Sequence, residues 1–198
     1  MAINLVKGQK IDLTKNNSGL KKLLVGLGWD PIKQEKKGFL GFGSSQADMD
    51  IDASVIMLRN DKLVDKGDII YFGNLRSRCG GVAHMGDNLT GGGDGDDEQI
   101  LIDLSKIPQD VNKLMFVTNI YNCIKRKQHF GMVKNAFIRI ADSSNNQNIA
   151  MFNLTEDYTD KTALVVGSVY RHSGEWKFAA LGEGTQDPSL SDMASKYL

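Results

Sequence analysis

The sequence predicts an all-β protein, a two-sheet β-sandwich with a short C-terminal helix and minor helical turns. Short runs of strand-forming residues recur along the chain, separated by turns rich in Gly and Asn. The apolar residues at 49, 51, 53, 55 and 57 alternate with Asp50, Asp52 and Ser54, a period of two that predicts one strand with Asp50 and Asp52 on the same face. Many short strands connected in this way are typical of a sandwich.

The predicted elements follow in chain order. An apolar run at 23–27 should end near Asp30, because Pro31 disfavours helical geometry at the residue before it. The Gly-, Lys- and Ser-rich segment 33–46 is expected to be a loop. Only 188–198 has a clear helical pattern, with short helical turns expected at 105–113 and 125–130. Further strands are predicted at 49–57, 68–72, 100–104, 113–118, 136–141, 149–154, 162–170 and 175–181.

The bulk composition indicates a soluble globular protein. The chain has 198 residues, of which 41% are apolar and 24% are charged. Because 24 basic residues balance 24 acidic ones, no global field draws the protein to nucleic acid, and membrane association is expected to be peripheral at most. Cys79 and Cys123 have no CxxC spacing and are expected to be reduced. The N-terminal segment has no apolar signal region, so a cytoplasmic location is expected.

The segment from Asp87 to Glu98 is the strongest functional signal. It holds five acidic side chains and no Lys or Arg, and four of the five fall within its last five residues. Two carboxylates about 5 Å apart repel each other by roughly 3 kcal/mol at an effective dielectric near 20. Asn88 and Thr90 add neutral oxygen atoms, and the glycines let backbone carbonyls turn inward. Calcium takes six to eight oxygen ligands in irregular geometry, so this supply favours calcium.

Three other interpretations of this segment are a solvated turn, a phosphate-binding loop and an EF-hand. The residue chemistry alone does not exclude a solvated, flexible acidic turn. A phosphate cradle is disfavoured, because the carboxylates would repel phosphate unless a metal bridged them. The length matches an EF-hand loop, but Leu89 and Gly91 occupy positions where that loop needs side-chain oxygens, and the flanks are predicted strands.

The sequence resembles the TerD family of tellurium-resistance and general stress proteins. The resemblance runs along nearly the whole chain, so a single TerD-like domain over residues 1–198 is expected. It is carried by GLGWD at 26–30, MDIDAS at 49–54, HMGDNLTG at 84–91, GDDE at 95–98, NAFIR at 135–139 and YRHSGEWKF at 170–178. Two segments, 119–123 and 182–187, depart from the family pattern.

The resemblance implies a bacterial cytoplasmic stress protein that binds calcium at one end of the sandwich and has no established enzymatic activity. It adds Asp30, Asp50 and Asp52 to the acidic segment, and the number of carboxylates makes two calcium ions plausible. No catalytic residue is predicted, and other stress-resistance proteins are expected partners. The expected metal ligands are Asp30, Asp50, Asp52, Asp87, Asn88, Thr90, Gly91, Asp94, Asp96, Asp97 and Glu98.

Two other functions remain alternatives. The same carboxylates could hold a metal pair in an enzyme that acts on phosphate esters. A β-sandwich with calcium at one rim could also act as a calcium-dependent module at a membrane surface, an analogy at the level of the fold alone.

Overall fold

The computed structural model describes residues 2–15, 17, 19–31, 49–86 and 95–198, except for the side chain of Pro31. Twelve strands are present in these residues: β1 (Ile3–Leu5), β2 (Lys10–Asp12), β3 (Lys22–Pro31), β4 (Ile51–Leu58), β5 (Ile69–Ile70), β6 (Val82–His84), β7 (Glu98–Asp103), β8 (Lys113–Ile120), β9 (Val133–Asp142), β10 (Gln147–Asn153), β11 (Ala163–His172) and β12 (Glu175–Thr185).

The strands form two six-stranded sheets, as the sequence predicted. The first sheet has the order β1-β10-β9-β3-β7-β6, and the second has the order β2-β12-β11-β8-β4-β5. Neighbouring strands are antiparallel except β1, which pairs parallel with β10. The chain moves repeatedly from one sheet to the other, so strands that are close in sequence often lie in different layers.

Alternation along the strands builds the core between the sheets. Val25 of β3 and Val55 of β4 are fully buried in this core, where the two sheets face each other. Ile56 points from the opposite face of β4 into a second apolar cluster. That cluster includes Met193, which lies on the short helix α2 (Leu190–Ser195). The second sheet is therefore covered on both faces over part of its area.

The helical elements are few in the described residues. They are α1 (Cys123–Arg126), α2, and two 3-10 turns at Lys66–Asp68 and Phe130–Met132. Ser189 begins α2 by accepting a hydrogen bond from the backbone N–H of Asp192 at 3.2 Å. No described helix combines the length and apolarity that crossing a membrane requires.

Several predicted boundaries were wrong. The strand expected at 68–72 is limited to β5, because a 3-10 turn precedes it and Tyr71 pairs with Asn74 in a tight turn. The helical turns expected at 105–113 are isolated hydrogen-bonded turns, one of which is closed by Val111 N–H donating to the Pro108 carbonyl. β1, β2 and β6, each three residues long, were not predicted. The loop expected at 33–46 lies outside the described residues.

Candidate metal site at one rim of the sandwich

Six of the eleven expected ligands lie in the described part of the chain, and all six gather at one end of the two sheets. They are Asp30, Asp50, Asp52, Asp96, Asp97 and Glu98. The other five, Asp87, Asn88, Thr90, Gly91 and Asp94, lie outside the described residues. We call Asp30, Asp50, Asp52, Asp96 and Asp97 the acidic rim.

Strand pairing explains why these residues meet. The last residues of β3 pair with the first residues of β7, with Leu27 opposite Glu98. The first residues of β4 pair with the last residues of β8, with Asp52 opposite Asn119. The backbone N–H of Ala53 donates to Glu98 Oε2 at 2.7 Å, which brings these ends of the two sheets together. Segments far apart in sequence therefore form one rim.

Asp97 and Asp30 form the first-sheet side of the acidic rim. The N–H of Trp29 donates to Asp97 Oδ2 at 2.7 Å, and the side-chain amide of Asn135 donates to Asp30 Oδ2 at 2.8 Å. Burial raises the pKa of Asp97, and the negative charges of Asp30 and Asp96 raise it further, against the opposing effect of the Trp29 N–H.

The first-sheet side of the rim is open to solvent. Asp30 and Gly95 border a groove of about 640 Å³, which also touches the beginning of β9 and the end of β10. A cation from solution can therefore reach the Asp30 side of the rim directly.

Asp96 lies beside these two carboxylates but has different neighbours. Arg139 donates from Nε to Asp96 Oδ1 at 2.6 Å and from Nη2 to Oδ2 at 2.6 Å. Gln99 donates to the same Oδ2 at 2.9 Å. The Asp96 side chain is only 2% exposed. This carboxylate is neutralised by a bidentate ion pair inside the protein.

Glu98 points into the sandwich and binds the backbone of β4 at its edge. β5 pairs only with Val55 and Ile56, so the described part of β5 does not reach Ala53. Glu98 accepts the Ala53 N–H, and His84 Nε2 lies 3.1 Å from the Ala53 carbonyl and 3.3 Å from Glu98 Oε2. Because Gly86 N–H donates to His84 Nδ1, Nε2 carries the proton of the neutral ring. Two buried side chains thus bind both backbone polar groups of one residue, Ala53.

Asp50 and Asp52 form the second-sheet side of the acidic rim. Asp52 is buried, whereas Asp50 is partly exposed and lies 3.9 Å from Arg126 Nη1. Asn119 faces Asp52 across the strand pair and is 6% exposed, and its side-chain carbonyl oxygen has no hydrogen-bond partner. This side of the rim therefore offers two carboxylates and one neutral oxygen.

The donor chemistry fits a hard cation such as calcium, although the described residues do not form a complete shell. All the side chains at issue supply oxygen. Within the described ranges, no three His, Cys, Asp or Glu side chains are grouped closely enough to hold a metal ion. Among the described residues, the cation would be held by Asp30 and Asp97 on the first-sheet side of the rim and by Asp50 and Asp52 on the second-sheet side. The remaining ligands would have to come from residues 87–94 and water.

Comparison with known proteins identifies the family. The family model described as the TerD domain matches residues 1–197. This chain belongs to the TerD family. It is 56% identical to stress response protein SCP2 of Bacillus subtilis (strain 168), with all of both chains covered. It is 42% identical to tellurium resistance protein TerD of Serratia marcescens, covering 100% of this chain and 97% of that protein.

Solved structures of TerD relatives support the fold. A homologue of telluride resistance protein TerD from Streptomyces coelicolor A3(2) superposes with a TM-score of 0.65 at 20% identity. That match covers 85% of this chain and 92% of the other. The two-sheet sandwich predicted from the sequence is therefore the fold found among TerD relatives.

Sequence reasoning missed the residues that bind the acidic segment to the TerD sandwich. Arg139 and Gln99, the partners of Asp96, received no role, and neither did Asn135, the partner of Asp30. A signal was present for Arg139, since it is the one charged residue in the apolar run 136–141. A charge in the middle of such a run indicates a specific partner.

Proposed function

We propose that this TerD-family protein is a calcium-binding stress-response module that acts by binding other molecules and not by catalysis. The observation that carries the proposal is the placement of Asp30 and Asp97. Asp30 lies on β3 and Asp97 lies just before β7, and the two carboxylates are close enough to repel each other at a rim that is open to solvent on its Asp30 side. A divalent cation would remove this repulsion.

The second-sheet carboxylates extend the proposal to two ions. Asp50 and Asp52 lie at the start of β4, in a different sheet from Asp30 and Asp97. Two groups of carboxylates on one rim suit two neighbouring cations, with residues 87–94 supplying ligands to both. The full proposed set adds Asp87, Asn88, Thr90, Gly91 and Asp94 to the described carboxylates.

The relatives support the biological role. Several curated relatives of more than 40% identity are named as stress response, general stress or tellurium resistance proteins of bacteria. We therefore propose that this protein works in the bacterial cytoplasm in the same kind of response, together with other stress-resistance proteins.

Calorimetric titration of the metal-free protein with calcium tests the binding proposal. We expect heat of binding and a stoichiometry near two. With micromolar affinity, a thousandfold excess of calcium over the dissociation constant adds about 4 kcal/mol to the free energy of unfolding. Magnesium at the same concentration is the control and should bind more weakly, because it demands octahedral geometry. Absence of both binding heat and a rise in melting temperature would refute the proposal.

A hydrolase screen tests the non-catalytic part of the proposal. The metal-loaded protein is incubated with phosphomonoester, phosphodiester and nucleic-acid substrates in calcium, magnesium or manganese. We expect no turnover above the rate of a metal-free sample. Turnover that disappears in Asp97→Asn would assign the rim to catalysis instead.

A further inference from the structure

We infer that Asp96 and Arg139 form a clamp that positions the end of the acidic segment, and that Asp96 is not itself a metal ligand. The inference rests on the proposed function, because it divides the expected calcium ligands into those that bind the ion and one that holds the others in place. We call Asp96, Arg139 and Gln99 the clamp.

The clamp uses both oxygens of the Asp96 carboxylate. Two parallel hydrogen bonds from Arg139, each 2.6 Å long, match the geometry of a carboxylate. The third hydrogen bond, from Gln99, enters at 2.9 Å. Oδ2 already accepts two hydrogen bonds, so a calcium ion bound there would have to displace one of the donors. A calcium ion bound to Oδ1 would lie next to the positive guanidinium of Arg139.

The central strand of the first sheet is shaped to receive this carboxylate. Gly26 lies opposite Arg139 on one side and opposite Gln99 on the other. A Cβ at position 26 would lie 2.2 Å from the Asp96 carboxyl carbon, a separation that no real side chain tolerates. The Asp96 carboxylate therefore lies over a bare stretch of backbone, between its two partners on the neighbouring strands.

Fixing Asp96 also fixes the adjacent rim residue. The Asp97 N–H donates to the Leu27 carbonyl at 2.8 Å, and Asp97 Oδ2 accepts from Trp29. These bonds continue the pairing of β7 with β3 beyond the end of the regular strand. The clamp thus holds the Asp97 carboxylate beside Asp30, where the proposed ion binds.

Calcium titrations of Asp96→Asn, Arg139→Gln and the double variant test the inference. Arg139→Gln gives the sharpest result, because the two roles predict opposite signs. If Asp96 were a ligand, removing the competing guanidinium would tighten calcium binding. The clamp predicts weaker binding, by roughly tenfold, with unchanged stoichiometry. The double variant should be no weaker than either single variant, because both changes break the same clamp.

Amide hydrogen exchange in EDTA tests the clamp without calcium. We expect faster exchange at Trp29 and at residues 95–98 in Asp96→Asn and Arg139→Gln, with the overall fold checked by circular dichroism. Arg126→Gln is the matched control, because Arg126 also lies at the rim, where its contact is with Asp50 at 3.9 Å and not with Asp96. This substitution should leave the exchange of these amides unchanged. Wild-type protein that fails to bind calcium would refute the proposed function, whereas faster exchange in the variants would still support the clamp. Tighter calcium binding in Arg139→Gln, or unchanged exchange in both clamp variants, would overturn it.

Discussion

The two sides of the rim each hold aspartates and an arginine, but the arginines are placed differently. On the first-sheet side, Arg139 binds Asp96 through two short hydrogen bonds, and the Asp96 side chain is almost inaccessible. On the second-sheet side, Arg126 of the helix α1 lies 3.9 Å from Asp50 and also packs 5.5 Å from the centre of the Tyr121 ring. The buried bidentate pair holds the Asp96 carboxylate as part of the fold, whereas the 3.9 Å contact between Arg126 and Asp50 lacks this bidentate geometry.

The same comparison applies within the acidic segment itself. Three consecutive residues, Asp96, Asp97 and Glu98, have three different environments. Asp96 is bound by Arg139, Glu98 is bound by the backbone of the other sheet, and Asp97 accepts the Trp29 N–H through Oδ2. Substitution of each residue should therefore have a different effect on stability and on calcium binding.

Glu98→Ala should lower the free energy of unfolding by about 3 kcal/mol, because the buried Ala53 N–H loses its acceptor and His84 loses its neighbour. Urea denaturation in EDTA measures this without any contribution from bound ions. Glu156→Ala is the control and should cost less than about 0.5 kcal/mol, since its ion pair with Lys7 is exposed. Equal losses in the two variants would mean that Glu98 has no special structural role.

Gly26→Ala should cost about 2 kcal/mol and should also weaken calcium binding, because the added methyl group occupies the place of the Asp96 carboxylate. Urea denaturation and calcium titration measure the two effects. At Gly19, where a Cβ would meet its nearest atom at an ordinary 3.6 Å, the same substitution should change stability by less than about 0.5 kcal/mol. A Gly26→Ala protein as stable as wild type would show that the Asp96 carboxylate has room to move.

Asp97→Asn should weaken calcium binding about tenfold, equivalent to about 1.4 kcal/mol, without loss of stability in EDTA. The amide oxygen still accepts from the Trp29 N–H, and the repulsion between Asp97 and Asp30 disappears. Asp96→Asn should behave differently and lose stability in EDTA, because it breaks the pair with Arg139. If the two variants lose equal stability in EDTA, the distinction between ligand and clamp is wrong.

Arg126→Gln should have the smallest effect. Its ion pair with Asp50 is long and partly exposed, so stability should change by less than about 0.5 kcal/mol. Calcium affinity should rise about two- to fivefold, because one positive charge is removed from the second-sheet side of the acidic rim. Calcium titration in low salt and in about 0.5 M salt measures this effect, which should shrink as salt screens the charges. A fall in affinity would assign Arg126 to a clamp of its own.

The sequence predicted the architecture well where the signal is local. The alternation between positions 49 and 57 corresponds to β4, and the strands predicted at 162–170 and 175–181 correspond to β11 and β12. Strands of two or three residues, such as β5 and β6, carry too few alternations to stand out, and their pairing depends on neighbours elsewhere in the chain.

The sequence predicted which acidic residues belong to the site, but it did not predict which of them bind other protein groups and which remain as candidate metal ligands. The partner of Asp96 is 43 positions away, and the partner of Glu98 is 45 positions away. The Asp96 pairing forms only when β7 and β9 assemble on either side of β3, and the Glu98 pairing forms only when the two sheets meet. The run of carboxylates in the sequence therefore makes Asp96, Asp97 and Glu98 look equivalent. Their separate environments come from tertiary contacts.

The attachment of Glu98 to Ala53 has a consequence for how such sequences evolve. Under the proposed function, a descendant that lost calcium binding would still keep the contacts of Glu98 with Ala53 and of Asp96 with Arg139, so selection for stability would favour these residues. Its mutations would accumulate first at Asp97, Asp30 and the residues of 87–94. A conserved acidic motif is therefore weak evidence that a related protein binds calcium. The residue at position 97 is more informative.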